Sequence, residues 1–222
     1  MELKHLLKRV DHTMLNVSAT EADYNRLCDE GIAYGVASVC VPPSRVKMCA
    51  ERLGGKLAVC SVIGFPNGYH DSNAKAFEAA LAIQHGAAEI DMVIDIGKAK
   101  DHNYAAILSD IRHVRAAAEG FILKVIIETA LLNSEEKIAL CNIVSESGAD
   151  FIKTSTGFAS AGATFDDVIL LRKHILPSIK VKAAGGIATL DDAYRFIELG
   201  ADRLGTSHIV KIIQGMSNRS GY

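Results

Sequence analysis

Residues 121–155, FILKVIIETALLNSEEKIALCNIVSESGADFIKTS, read as strand, helix and strand. FILKVIIE (121–128) and ADFIKTS (149–155) are short runs rich in β-branched residues, apolar at successive positions as strands covered on both faces must be. Between them Asn133-Ser-Glu-Glu136 offers a cap residue followed by acids, which opens a helical pattern over 134–147. Gly148 follows the helix, where a left-handed residue is wanted. The unit repeats in both directions. Further strands read at 9–12, 35–41, 57–63, 88–94, 179–184 and 201–206, and helices near 20–31, 43–53, 72–86, 101–118, 164–175, 189–199 and 207–215. Ser18-Ala-Thr-Glu21 caps the first of these helices, and Gly31, Gly86 and Gly200 read as helix ends. Gly-Ala-Ala (86–88) and Gly-Ala-Asp (148–150, 200–202) each lead into a strand, an echo too short to indicate duplication.

Eight strand–helix units in 222 residues fit a compact (β/α)8 barrel with a short N-terminal helix. The rival is a doubly wound open sheet, whose first strand should end in a G-x-G-x-x-G turn; none stands there. No linker, low-complexity tract or charge block interrupts the chain, so a single domain over 1–222 is expected.

Composition narrows the function. Apolar residues at 49% and charged ones at 23% are those of an ordinary globular protein, not a disordered one. A net charge of −2 gives no global field to hold nucleic acid or an anionic membrane. Aromatics at 6%, with no Trp, disfavour a base-stacking surface. Five cysteines make no C-x-x-C pair, and the N-terminus lacks the apolar core of a signal peptide. Cytoplasm is the expected compartment. The eight histidines show no zinc-ligand spacing, and neither G-x-S-x-G nor a phosphate-cradling G-x-x-x-x-G-K motif occurs. No metal or cofactor is expected.

In a barrel of this kind reactive groups stand at the C-terminal strand ends. Three polar residues occupy such places: Asp91 in EIDMVI, Lys153 in DFIKTSTG and Lys182 in VKAAGG. A buried lysine is desolvated toward its neutral form, which a Schiff-base nucleophile requires. The structural alternative for Lys153 is a packed stem with a head reaching water. Lys182 favours the chemical reading, because neighbouring strands lie ~4.8 Å apart and two ammonium groups so close repel. Asp91 can supply a carboxylate across the barrel mouth. Lys124 and Glu128 read as an interior ion pair with a structural role. Gly185-Gly186 and Gly205-Thr206-Ser207 follow the seventh and eighth strands, where barrels often hold a phosphate. Asp11 and Cys40, at strand ends, are further candidates for the site lining.

Eight segments resemble the deoxyribose-phosphate aldolases: VDHTML (10–15), VCVPP (39–43), GFPNG (64–68), EIDMVIDIG (89–97), LKVIIET (123–129), ADFIKTSTGF (149–158), VKAAGGI (181–187) and RLGTS (203–207). They span nearly the whole chain in the family's order. The resemblance implies a metal-independent class I aldolase on a (β/α)8 barrel, in deoxyribonucleotide catabolism. Such enzymes reversibly split 2-deoxyribose 5-phosphate into acetaldehyde and glyceraldehyde 3-phosphate. It implies that Lys153 forms the Schiff base, that Asp91 and Lys182 move protons, and that Gly157, Gly185, Gly186, Gly205, Thr206 and Ser207 line the phosphate site. The implied partners are a phosphosugar, acetaldehyde and further copies of the chain, as a dimer or tetramer. His208 and Asp95 depart from the family pattern, and Tyr222 resembles a terminal tyrosine that assists proton movement in some relatives. Other readings are a different Schiff-base phosphosugar aldolase or transaldolase, and a non-catalytic barrel that binds a sugar phosphate.

Overall fold

The computed structural model describes residues 1–215. A short helix, α1 (Leu3–Leu7), precedes eight parallel strands: β1 (Val10–Thr13), β2 (Ser38–Val41), β3 (Ala58–Ile63), β4 (Glu89–Val93), β5 (Ile122–Ile126), β6 (Phe151–Lys153), β7 (Lys180–Ala184) and β8 (Arg203–Thr206). They close in sequence order, β1 to β8, and Val10 pairs with Leu204 across the seam. The open-sheet alternative is thereby excluded. Between the strands run α2 (Glu21–Tyr34), α3 (Val46–Leu53), α4 (Ser72–Gln84), α5 (Ile96–Lys100), α6 (Tyr104–Ala117), α7 (Ser134–Glu146), α8 (Phe165–His174) and α9 (Leu190–Glu198), with α10 (Ile209–Ile213) after β8.

The opening unit forms as its sequence indicates. Asn133 and Glu136 make a reciprocal capping box at the start of α7, and Gly148 takes φ 82 just beyond its end. Gly86 and Gly200 do the same after α4 and α9, with φ 104 and 108. One expectation needs correction. Gly31 does not end α2, which continues to Tyr34 and is closed by left-handed Gly35. Gly31 serves packing instead, since a Cβ there would meet Leu57 Cδ2 at 2.7 Å. The helix expected near 101–118 forms as α6, and the short α5 stands before it, parted from it at His102 with φ 54. Asp95 caps α5 by accepting from the Lys98 N–H, and Asn103 caps α6.

The main apolar core lies between barrel and helices, where strand residues such as Val39, Ile90, Leu123, Ile152, Val181 and Leu204 join Leu27, Ile111, Leu140 and Leu171. A smaller cluster of Leu15, Cys40, Cys60 and Val62 lies apart from it, with Phe65 packed on it. Other inward positions carry charge, among them Asp11, Glu89, Asp91, Lys124, Lys153 and Lys182.

Candidate active site

Asp91 is fully buried on β4 and holds three lysines. Its Oδ2 accepts from Lys153 Nζ and from Lys182 Nζ, each at 2.7 Å, and its Oδ1 accepts from Lys124 Nζ at 2.7 Å. Strand register brings these groups together: Lys153 of β6 pairs directly with Lys182 of β7, and Asp91 of β4 with Lys124 of β5. Below them Lys182 also donates to Asp11, and Lys124 lies 2.6 Å from Glu89. Arg203 reaches Asp11 at 2.5 Å and Glu89 at 3.2 Å, and the Ser38 hydroxyl donates to Asp11. The barrel interior is thus one ionic lattice. Three carboxylates (Asp11, Glu89, Asp91) face four cationic side chains (Lys124, Lys153, Lys182, Arg203).

At Asp11, Asp91, Lys124, Lys182 and Arg203 desolvation opposes the charge, and opposite charge overrides it. Burial pushes the Asp11 and Asp91 carboxyls up, but the surrounding cations hold both well below the usual carboxylate range. Burial likewise disfavours the Lys182 ammonium, yet Asp11 and Asp91 hold it above the ordinary lysine range. Lys124 is held up in the same way, by Asp91 first. The repulsion expected between Lys153 and Lys182 is therefore mediated by an anion that touches both.

Lys153 is the lattice member that lines the cleft. It lies on the floor of a cleft, open at its mouth, whose walls include Gly157, Gly185, Gly186, Gly205, Thr206 and Ser207. All six residues expected around a phosphate are gathered there. Asp91 and Lys182 do not line the cleft; they sit beneath Lys153 with no exposure. The Gly162-Ala163 stretch after β6 packs closely on the Gly185-Gly186 loop. Ala163 N–H donates to Ala184 and Gly185 carbonyls, and a Cβ on Gly162 would stand 2.3 Å from the Gly185 carbonyl carbon. Gly205 has a second task, since a Cβ there would approach Lys182 Cε to 3.1 Å. His208 also lines the cleft, and burial holds its imidazole below the ordinary histidine pKa.

Several sequence readings change. Lys124 and Glu128 do not pair: Glu128 leaves the strand with φ 56 and binds Thr156, while Lys124 joins Asp91 and Glu89. Asp11 is a buried partner of Lys182, Arg203 and Ser38, not a wall residue. Cys40 is fully buried in the small apolar cluster, not exposed at the mouth. Tyr222 lies outside the described residues. Glu89, Arg203, Ser38 and Gly162 were missed. Glu89 and Asp91, two apart in an otherwise apolar strand, were the signal for a charged interior.

Cys40, Cys60 and Asp91, and separately Asp11, Cys60 and Glu89, bring potential metal donors within 4.8 Å of one another. Their carboxylates are already engaged by lysine and arginine, so a cation entering either group would face an ammonium or guanidinium at contact. The donor sets do not suit a metal.

A closed barrel whose strand ends surround a glycine-walled cleft, with a lysine at its floor, has the layout of a (β/α)8 enzyme working through an amine. The chain belongs to the DeoC/LacD aldolase family, whose model matches residues 5–218. It is 52% identical over 221 residues to a deoxyribose-phosphate aldolase of Streptococcus agalactiae serotype Ia, covering 100% of this chain and 99% of that protein. A deoxyribose-phosphate aldolase of Streptococcus pyogenes serotype M28 is likewise 52% identical, over 220 residues and 99% of each chain. Among solved structures, the tetrameric deoxyribose phosphate aldolase of Aeropyrum pernix superposes with a TM-score of 0.88 at 33% identity, over 96% of this chain and 92% of that one.

Proposed function

We propose that this aldolase reversibly cleaves 2-deoxy-D-ribose 5-phosphate to acetaldehyde and D-glyceraldehyde 3-phosphate, through an imine on Lys153. The observation that carries the assignment is the shared oxygen of Asp91, which contacts both Lys153 and Lys182 beneath the cleft. The free amine of Lys153 adds to the C1 aldehyde, and loss of water gives a protonated imine. The C3 hydroxyl loses its proton, and the C2–C3 electron pair moves toward the imine. C3 leaves as the aldehyde of glyceraldehyde 3-phosphate, and an enamine remains on the lysine. Protonation of its terminal carbon and hydrolysis release acetaldehyde and restore the amine. Asp91 and Lys182 carry the protons for carbinolamine dehydration and enamine protonation, since Asp91 contacts the Lys153 amine and Lys182 shares the same Asp91 oxygen.

Gly157, Gly185, Gly186, Gly205, Thr206 and Ser207 hold the phosphate, far from the reacting bond. Glycine backbone N–H groups can approach an anion closely, and remote binding fixes the reacting carbons over Lys153. The active form is a cytoplasmic homo-oligomer, dimer or tetramer, consistent with five free, buried cysteines and with the tetrameric relative. Light scattering of the purified protein tests the assembly.

Borohydride with substrate should lock a covalent adduct on Lys153, with activity intact in EDTA. Peptide mapping decides it. An adduct on Lys124 would overturn the assignment, as would loss of activity with the chelator.

A further inference from the structure

Glu128 ends the β5 segment in a left-handed conformation, φ 56 and ψ 67, which a side chain with a Cβ adopts only when its surroundings enforce it. Among the described residues only His102 shares this property outside glycine. The side chain is 4% exposed, and its carboxylate accepts the Thr156 N–H at 3.2 Å and the Thr156 hydroxyl. The same Thr156 hydroxyl oxygen accepts the Phe158 N–H at 3.0 Å. The bonds therefore run from Glu128 through Thr156 to Phe158 and straddle Gly157, itself at φ 87.

Thr156, Gly157 and Phe158 form one wall of the cleft above Lys153. Behind that wall, Glu128, Thr156 and Phe158 border a second cavity with Pro66, Asn67 and Tyr69. The wall also carries the Phe65–Phe158 edge-to-face contact, with centroids 5.3 Å apart. The Glu128 carboxylate is the internal support. Charge-assisted hydrogen bonds of this type are about twice as strong as neutral ones.

We propose that Glu128 is a positioning residue for phosphate recognition: its strained backbone aims a buried carboxylate at Thr156 and so holds the Gly157 wall in its anion-accepting position. This rests on the reading of the cleft as a phosphate site. The role is distinct from that of the ionic lattice, because Glu128 makes no ion pair with Lys124 and contacts the wall instead.

Glycine tolerates φ 56, so Glu128→Gly removes the clamp while relaxing the backbone, and thermal melting should show a folded protein. Its KM for 2-deoxyribose 5-phosphate should rise roughly tenfold, while kcat/KM for unphosphorylated 2-deoxyribose changes by about twofold at most. Glu128→Gln keeps an amide oxygen that can accept from Thr156, and its KM should fall between wild type and Glu128→Gly. Ser207→Asp is measured in parallel, since a carboxylate on the cleft wall repels the dianion without touching the clamp. If Ser207→Asp discriminates between the two substrates and Glu128→Gly does not, through equal loss or no loss, the clamp is wrong and the phosphate site stands. If neither variant discriminates, the phosphate reading itself fails and the clamp falls with it.

Discussion

Lys153 and Lys182 share one carboxylate oxygen, so a change at Lys182 acts on charge and on proton transfer together. Two replacements separate the effects. Lys182→Arg keeps the cation for Asp11 and Asp91 but holds its proton too tightly to pass it. Its stability should stay near wild type while turnover drops by ~10²–10⁴, the usual worth of a positioned proton donor. Lys182→Leu removes the cation as well and leaves buried carboxylates short of a partner, with a loss of ~3–5 kcal/mol in stability. Steady-state kinetics and urea unfolding of both variants check this. Unimpaired turnover in Lys182→Arg would end the proton-transfer role. Charge at the cleft is best probed away from Gly186. That residue holds φ 73, and a Cβ there would approach the Ala163 carbonyl to 3.2 Å, so a substitution mixes strain with electrostatics. Ser207 already carries a Cβ and is not at positive φ, and Ser207→Asp should raise KM for the phosphorylated sugar selectively. Like charges a few Å apart at an effective dielectric near 20 repel by ~2–4 kcal/mol.

At the scale of elements, the helix ends are built from local chemistry. Asn133 accepts the Glu136 N–H at 2.9 Å and Glu136 returns the bond at 2.7 Å, while Lys100 of α5 also donates to Glu136. Asn133→Ala should lower stability by ~1 kcal/mol and the melting temperature by roughly 2–4 °C, with KM and kcat unchanged. A loss of activity at full occupancy of the fold would mean that α7 communicates with the mouth. Gly31 is a case of long-range control at the same scale. Its place inside α2 is dictated by Leu57, 26 positions downstream and at the threshold of β3, so no local signal marks it as a packing glycine. The short α5 is local in origin, since Asp95 caps its start, while Asn103 caps α6 just after it.

For the whole molecule, the ionic lattice couples stability to pH. Asp11 and Asp91 are depressed below the unfolded value near 3.9, so their contribution is complete above about pH 5 and is lost as pH falls through the folded values. Lys124 and Lys182 are raised, so theirs is complete below the unfolded value near 10.4 and is lost only as pH rises through the higher folded values. The urea midpoint should therefore be level from about pH 5 to 10 in these terms and fall below about pH 4. A midpoint already falling near pH 6 would assign acid sensitivity to other groups. Arg203 closes the lattice at the end away from the cleft, between Asp11 and Glu89. Arg203→Leu should cost ~3–5 kcal/mol by leaving those carboxylates partly unpaired, far more than an exposed pair would.

The alternation of β-branched runs with capped amphipathic stretches determined the barrel by itself, because each strand–helix unit is specified by neighbours in sequence and eight such units leave few ways to close. Lys153 and the two glycine loops line the cleft because they end strands, whereas Asp91 and Lys182, in the middle of β4 and β7, lie beneath it. Only the tertiary structure decided who pairs with whom. Glu128 and Lys124 lie on one strand segment with opposite charge, yet a single left-handed backbone angle sends Glu128 to Thr156 and leaves Lys124 to Asp91. Asp11, Glu89 and Arg203 come from the first, fourth and eighth strands, and nothing in their own surroundings in the chain points to a common centre. Ion pairing inside a barrel depends on distance across the closed sheet, which chain separation does not encode. Closure creates that distance.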